Sequence, residues 1–183
     1  MAQFLKTFFS STALSAVAAF SIVSLPATAK PLKVGDQAPS VQLKNQNGET
    51  FSLQSNKGKS WTILYFYPKA GTPGCTKQAC AFRDAADKIR EKNTQVYGVS
   101  TDSVEKLAAF HKEHNLTFPL LSDSDASVTE KFGVKFPVVK IAKRWTFIID
   151  PELKIRHIND KVDPLLDAKQ MIEVVEKLQN TKK

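Results

Sequence analysis

Cysteine is scarce in this chain: Cys75 and Cys80 are the only two thiols among 183 residues. Two thiols cannot complete a tetrahedral metal site alone, because such a site takes four ligands. His111 and His114, at i and i+3, are the pair that could supply the other two. His111 falls on the face of Val104 and Leu107, as a half-buried core residue would, and His114 lies near a helix end where imidazolium is favoured anyway. No metal is therefore expected. Internal repeats and low-complexity tracts are missing beyond residue 30, and there is no twin arginine near the start. Although the net charge is +8, basic residues are interspersed with acidic ones, apart from the short Thr181-Lys182-Lys183 tail. A nucleic-acid binder would gather them in a stripe with aromatic partners, so no nucleic-acid partner is expected.

The first segment has the parts of a secretory signal. Lys6, the only charge in residues 1–29, precedes Phe8-Phe9 and a small apolar stretch from Thr12 to Leu25, closed by Pro26-Ala27-Thr28-Ala29. A positive n-region, a short apolar core and an Ala-x-Ala ending predict cleavage after Ala29. Phe8–Leu25 is near the lower length limit for a membrane span, and serines and threonines interrupt it. The expectation is an exported protein, in a periplasm or a thylakoid lumen, with no stable membrane association after cleavage. Removal of 1–29 leaves roughly 150 residues, one ordinary domain with a real core. No long exposed apolar patch is apparent in it, so a monomer is expected.

Within that domain, Val41-Gln-Leu43 and Phe51-Ser-Leu53 suit edge strands or a small hairpin. Trp61-Thr-Ile-Leu-Tyr-Phe-Tyr67 is apolar almost throughout, the mark of a strand covered on both faces. From Pro73 the period changes: Cys75, Ala79, Phe82, Ala86 and Ile89 share one face of a helix predicted to run to about Glu91. Thr72 suits its N-cap and Pro73 its first position. Gln95–Thr101 reads as a second buried strand. Asp102 and Glu105 form a capping box for a helix to about His114. Phe118–Ser122 is a third strand, and Asp125–Phe132 a short helix. Arg144–Asp150 and Leu153–Ile158 make a hairpin turning at Asp150-Pro151. Asp163 caps a last helix, with Pro164 at its first position and Leu165, Ala168, Ile172 and Val175 facing inward. Strands alternating with helices and closed by a hairpin predict an α/β fold, a mixed sheet flanked by helices on both faces.

Export makes an inert structural bridge the bland reading of the two cysteines. Their placement argues for something else. A cysteine in the first helical turn meets unpaired backbone N–H groups and the positive end of the helix dipole, and both favour thiolate over thiol. Gly74 has no side chain, so another molecule can approach that turn. Cys75 is thus placed like a nucleophile. Five residues along an intact helix rotate about 140° and rise about 7.5 Å, which puts the two Cα atoms about 8.6 Å apart. A disulfide needs roughly 4.4–6.8 Å. The bridge and the intact helix exclude each other, and a bond that costs structure to make is easily reduced.

The string Tyr65-Phe-Tyr-Pro68-Lys-Ala-Gly-Thr72-Pro-Gly-Cys75-Thr-Lys-Gln-Ala-Cys80-Ala-Phe-Arg-Asp84 resembles the active-site region of the peroxiredoxins, in particular their bacterioferritin-comigratory or peroxiredoxin Q branch. Gly98-Val-Ser-Thr-Asp102, Phe118-Pro-Leu-Leu-Ser-Asp123 and Arg144-x-Thr-Phe-Ile-Ile-Asp150 match in order, so that the resemblance spans roughly Val34 to the C-terminus. It implies a thioredoxin-like fold and a thiol peroxidase acting on hydroperoxides, reduced by a thioredoxin-like protein and requiring no metal, haem or flavin cofactor. Cys75 would be the peroxidatic residue and become a sulfenic acid. Cys80 would be the resolving thiol of an intramolecular disulfide. Thr72 would hydrogen-bond the thiolate or the peroxide, Arg144 would stabilise both the thiolate and the charge growing on the leaving oxygen, and Pro68 would shield the site from water. Arg83 reads as a structural partner of Asp84 or Asp87. Gln78 stands where many peroxiredoxins carry Glu, Trp145 is bulkier than usual, and Gly133–Lys143 is short for the branch. Two other readings remain open at this point: a thioredoxin-fold disulfide carrier or sensor, and a non-catalytic domain with a residual bridge. The first is disfavoured because such chemistry prefers a Cys-x-x-Cys pair.

Overall fold

A computed structural model describes residues 31–181. The predicted signal, residues 1–29, lies outside the described residues, and with it the expectations of export and cleavage. Among the described residues no helix is long and apolar enough to cross a membrane.

Seven strands form one sheet in the order β2-β1-β5-β4-β3-β6-β7. Their ranges are β1 Gln42–Asn45, β2 Thr50–Ser52, β3 Trp61–Phe66, β4 Thr94–Ser100, β5 Leu120–Ser122, β6 Trp145–Ile149 and β7 Ile155–Asn159. The middle of the sheet is parallel: β3 pairs with β4, and β4 with β5. An antiparallel hairpin closes each side. β1–β2 joins through β5, and β6–β7 through β3, so the sheet is mixed as expected.

β3 is buried at every position, and its period of two divides its side chains between two cores. Ile63 and Tyr65, with Tyr67 just beyond the strand, join Phe82, Leu107, Phe110, Phe118, Met171 and Val175 on one face. Leu64 and Phe66 join Val99, Val128, Phe132, Phe147 and Ile149 on the other. Each fully buried large side chain contributes about 1.5–3 kcal/mol, so this strand is the best-anchored element near the thiols. Tyr65 packs across Phe82, with ring centroids 4.7 Å apart. The room for its phenol comes from Gly98 on β4, where any Cβ would fall 2.6 Å from the tyrosine oxygen.

The helices are α1 Pro73–Asp84, α2 Ala86–Glu91, α3 Val104–Glu113, α4 Ser127–Lys131 and α5 Asp167–Thr181. α1, α2, α3 and α5 supply buried residues to the first core, whereas α4 supplies Val128 to the second. Helices therefore cover both faces.

Three local expectations are revised. The helix predicted from Pro73 to Glu91 is two helices that meet at Ala85. The Cys75/Ala79/Phe82/Ala86/Ile89 face stays buried throughout. The chain turns because α1 packs on α5 whereas α2 packs on β4. The cap of α3 is Ser103, whose side chain accepts from Lys106 N, rather than Asp102. The last helix begins at Asp167. Asp163 caps the preceding turn, its Oδ1 accepting from Leu165 N at 2.8 Å and its carbonyl from Asp167 N at 3.0 Å. Leu165 consequently faces solvent, 61% exposed, while Asp167, Ala168, Met171 and Val175 face inward.

Candidate active site

α1 starts at the carboxyl end of β3, the end of a parallel sheet where α/β proteins build their sites. The connection runs through half-buried Pro68, buried Ala70 and Gly71. Gly71 has φ of +79°, a conformation that suits glycine. Asp102 ties this loop down. Its Oδ2 accepts from Ala70 N at 2.7 Å and from the Ser100 hydroxyl at 2.9 Å, and its Oδ1 accepts from Lys106 Nζ at 2.6 Å. That is why Asp102 does not cap α3.

Cys75 is the third residue of α1 and is 1% exposed. The first intrahelical bond runs from Thr76 N to Thr72 O, 2.9 Å, so the N–H groups of Gly74 and Cys75 lie in the turn that has no intrahelical acceptors. Arg144 comes from a distant part of the sequence. It sits just before β6, and the antiparallel β3–β6 pairing, with Phe66 opposite Trp145, carries it to the end of β3. Its Nη2 donates to Cys75 Sγ at 3.1 Å. Gly74 makes room for the guanidinium, since a Cβ there would stand 3.4 Å from Nη2. A cation at hydrogen-bond distance from a buried sulfur stabilises negative charge on it.

Arg144 is held in turn. Its Nη1 donates to Gln78 Oε1 at 2.6 Å, and Gln78 is fully buried on α1 one turn beyond Cys75. The amide of Gln78 donates through Nε2 to Asp167 Oδ2 at 2.7 Å. Asp167 also accepts from the Thr146 hydroxyl at 2.7 Å and from Asn159 Nδ2 at 3.2 Å. Burial pushes the Asp167 carboxyl up, while these three bonds and the nearby Arg144 charge pull it back. Tyr65 and Tyr67 complete the floor beneath Cys75. Burial foremost pushes both phenols up, and charge at Cys75 acts in the same direction, so they remain neutral.

Of the five residues named from sequence, Cys75 and Arg144 are in direct contact, and Pro68 lies half-buried two residues beyond the end of β3. The Thr72 hydroxyl donates to Lys69 O at 3.0 Å and makes no side-chain cap on α1. Cys80 is half-buried on the same uninterrupted helix as Cys75, and both thiols are free. Arg83 is structural as expected, bonding Asp84 at 2.8 Å and His114 O at 2.7 Å. Sequence reasoning reaches Gln78 only as a departure from the resemblance, and it misses Asp167. The available signals are a polar residue on the buried face of α1 and an acid in the first turn of α5, where the helix dipole favours it.

Residues 34–158 match the model of the AhpC/TSA family. This chain belongs to that family. Peroxiredoxin Bcp of Escherichia coli is 44% identical over 136 residues, covering 71% of this chain and 86% of the relative. Among solved structures, peroxidoxin BcpB from Mycobacterium tuberculosis superposes with a TM-score of 0.76 at 34% identity, over 80% of this chain and 98% of that one. The bacterioferritin comigratory protein of Xanthomonas campestris, described for alkyl peroxide reduction, gives 0.71 at 26%, over 75% and 91%. The protein is thus a thioredoxin-fold peroxiredoxin of the bacterioferritin-comigratory branch, a thiol-dependent peroxidase.

Proposed function

We propose that Cys75 is the peroxidatic thiol and Cys80 the resolving thiol of an intramolecular cycle. The observation that carries the assignment is the 3.1 Å contact of Arg144 Nη2 with Cys75 Sγ in the first turn of α1. In the first step the Cys75 thiolate attacks one oxygen of a hydroperoxide. An S–O bond forms, the O–O bond breaks, and the leaving oxygen departs as water or an alcohol after taking up a proton. Arg144 stabilises the charge that grows on that oxygen. Cys75 is left as a sulfenic acid. In the second step the Cys80 thiolate attacks the Cys75 sulfur. An S–S bond forms, the S–O bond breaks, and the hydroxide leaves as water after taking up a proton. A thioredoxin-like dithiol then reduces the bridge and becomes a disulfide itself. Similarity to the Xanthomonas protein extends the substrates to alkyl hydroperoxides.

The second step requires α1 to open. In the intact helix the two Cα atoms stand about 8.6 Å apart, beyond disulfide reach. A protein carrying Cys80→Ser is expected to consume one equivalent of hydrogen peroxide and then stop when a thioredoxin-like protein is the reductant. Quenched-flow measurement of peroxide per enzyme checks this; sustained turnover at the wild-type rate would remove Cys80 from the cycle.

The reading includes export. The n-region, apolar core and Ala27-Thr28-Ala29 ending support secretion into a periplasm or thylakoid lumen. Intact mass of the protein recovered from its native compartment is expected to place the mature N-terminus at Lys30. A chain still beginning at Met1 would refute cleavage.

A further inference from the structure

Arg144 makes no ion pair with a carboxylate among the described residues; its two side-chain bonds go to Cys75 and Gln78. Its fixed position therefore depends on a neutral amide, and an amide has two ends. A guanidinium only donates, so Gln78 holds Arg144 only when Oε1 points at it. What selects that end is the group on the other side of the amide. There Asp167 presents Oδ2 to Gln78 Nε2 at 2.7 Å, in a site where three donors converge on one carboxylate. An ionised carboxylate is acceptor-only, and with Asp167 wholly buried no solvent competes for it.

We infer that Asp167 is a positioning residue of the peroxidase site: it fixes the orientation of the Gln78 amide, which in turn holds Arg144 against Cys75. The chain Asp167–Gln78–Arg144–Cys75 joins the start of α5 to the start of α1 through three hydrogen bonds of 2.7, 2.6 and 3.1 Å. Thr146 on β6 and Asn159 on β7 orient the carboxylate from the sheet side. The device substitutes for a direct ion pair.

The inference rests on Cys75 being the nucleophile, and its test separates the two. The full chain is oxidised with hydrogen peroxide under stopped flow, single turnover, for wild type, Asp167→Asn and the double variant Gln78→Glu/Asp167→Asn. Asp167→Asn is nearly isosteric, but its single acceptor oxygen cannot serve three donors, and its NH2 lets Gln78 turn over. Oxidation of Cys75 is expected to slow about tenfold, since misplacement of a positioned group by about 1 Å costs up to about a hundredfold. The KM for the protein reductant is expected to stay unchanged. In the double variant, the carboxylate introduced at position 78 accepts from Arg144 in either orientation, while the amide introduced at position 167 donates to that carboxylate. The rate is expected to recover to within about threefold of wild type. A folded Asp167→Asn protein oxidised at the wild-type rate, with at most a lower melting temperature, would make Asp167 merely structural and overturn the inference. So would a slowed Asp167→Asn that the double variant fails to rescue. Slow oxidation of wild type itself would instead overturn the assignment of Cys75.

Discussion

Replacing Cys75 by Ser is expected to abolish peroxide consumption while leaving the protein folded. The substitution exchanges sulfur for oxygen at a site that is 1% exposed, and the new hydroxyl can accept the Arg144 Nη2 hydrogen that the sulfur accepts now. The packing of Tyr65, Phe82 and Ala79 around the position needs little change in volume. The loss is therefore chemical. A serine hydroxyl is a poor nucleophile without an adjacent general base, and none of the contacts of Cys75 provides one. Activity is expected to fall by several orders of magnitude, to the slow reaction of the remaining thiol. Cys80 lies half-buried in the third turn of α1, away from the helix N-terminus and with no hydrogen bond from Arg144, so it does not inherit the role. Peroxide consumption with a thiol reductant, together with a thermal melt near that of wild type, checks both halves. Steady-state activity retained in the folded variant would remove Cys75 as the nucleophile.

The parts of the fold that are legible in the sequence are those whose signal is local. β3 declares itself as an unbroken apolar run because both of its faces are covered, and the 3.6-residue period of Cys75, Ala79 and Phe82 marks which side of α1 is inward. Periodicity reports a face, however, and not a direction. The turn at Ala85 leaves Ala86 and Ile89 in phase with α1, so no change of pattern announces it; the competing partners, α5 for one helix and β4 for the other, are tertiary facts. The start of α5 slips by a similar mechanism. Pro164 is a good first helical residue by propensity, but its turn closes on Asp163 before the helix proper begins, and the inward positions shift from Leu165 to Asp167.

The site is legible through resemblance more than through physics. Position in the first turn of α1 argues for a reactive Cys75 without help. Arg144 is 69 residues away in sequence, and its approach to the sulfur depends on the β3–β6 register, which no local pattern carries. Thr72 illustrates the opposite case. Sequence offers its side chain two tasks, capping α1 or bonding the thiolate or the peroxide; in the structure it does not cap α1, and its hydroxyl donates to Lys69 O inside the Asp102-anchored loop. Gln78 and Asp167 escape because a buried polar residue is recognisable only by its partners, and those partners come from α1, β6, β7 and α5 at once.

Arg144→Ala is expected to cost about a hundred- to a thousandfold in the rate of Cys75 oxidation, about 2.7–4 kcal/mol of transition-state stabilisation, the usual loss for one donor aimed at developing charge. Two effects contribute. The ground-state thiolate loses its charged hydrogen-bond donor, and the leaving oxygen loses the cation beside which its charge grows. Arg144→Lys separates geometry from charge. An ammonium keeps the positive charge but cannot donate from two ends of a fork to Gln78 Oε1 and Cys75 Sγ at the same time from a fixed plane. Its rate is expected to fall between those of Ala and wild type, and to depend more steeply on added salt than the wild type does, since a mobile charge is more easily screened. Removing the side chain also leaves Gln78 Oε1 buried without its donor, which costs about 1–3 kcal/mol of stability and is read from the melting curve independently of the kinetics. Stopped-flow oxidation of the three proteins by hydrogen peroxide decides the matter: equal rates for Arg, Lys and Ala at position 144 would show that the helix N-terminus alone activates the sulfur, and the 3.1 Å contact would then be a feature of packing.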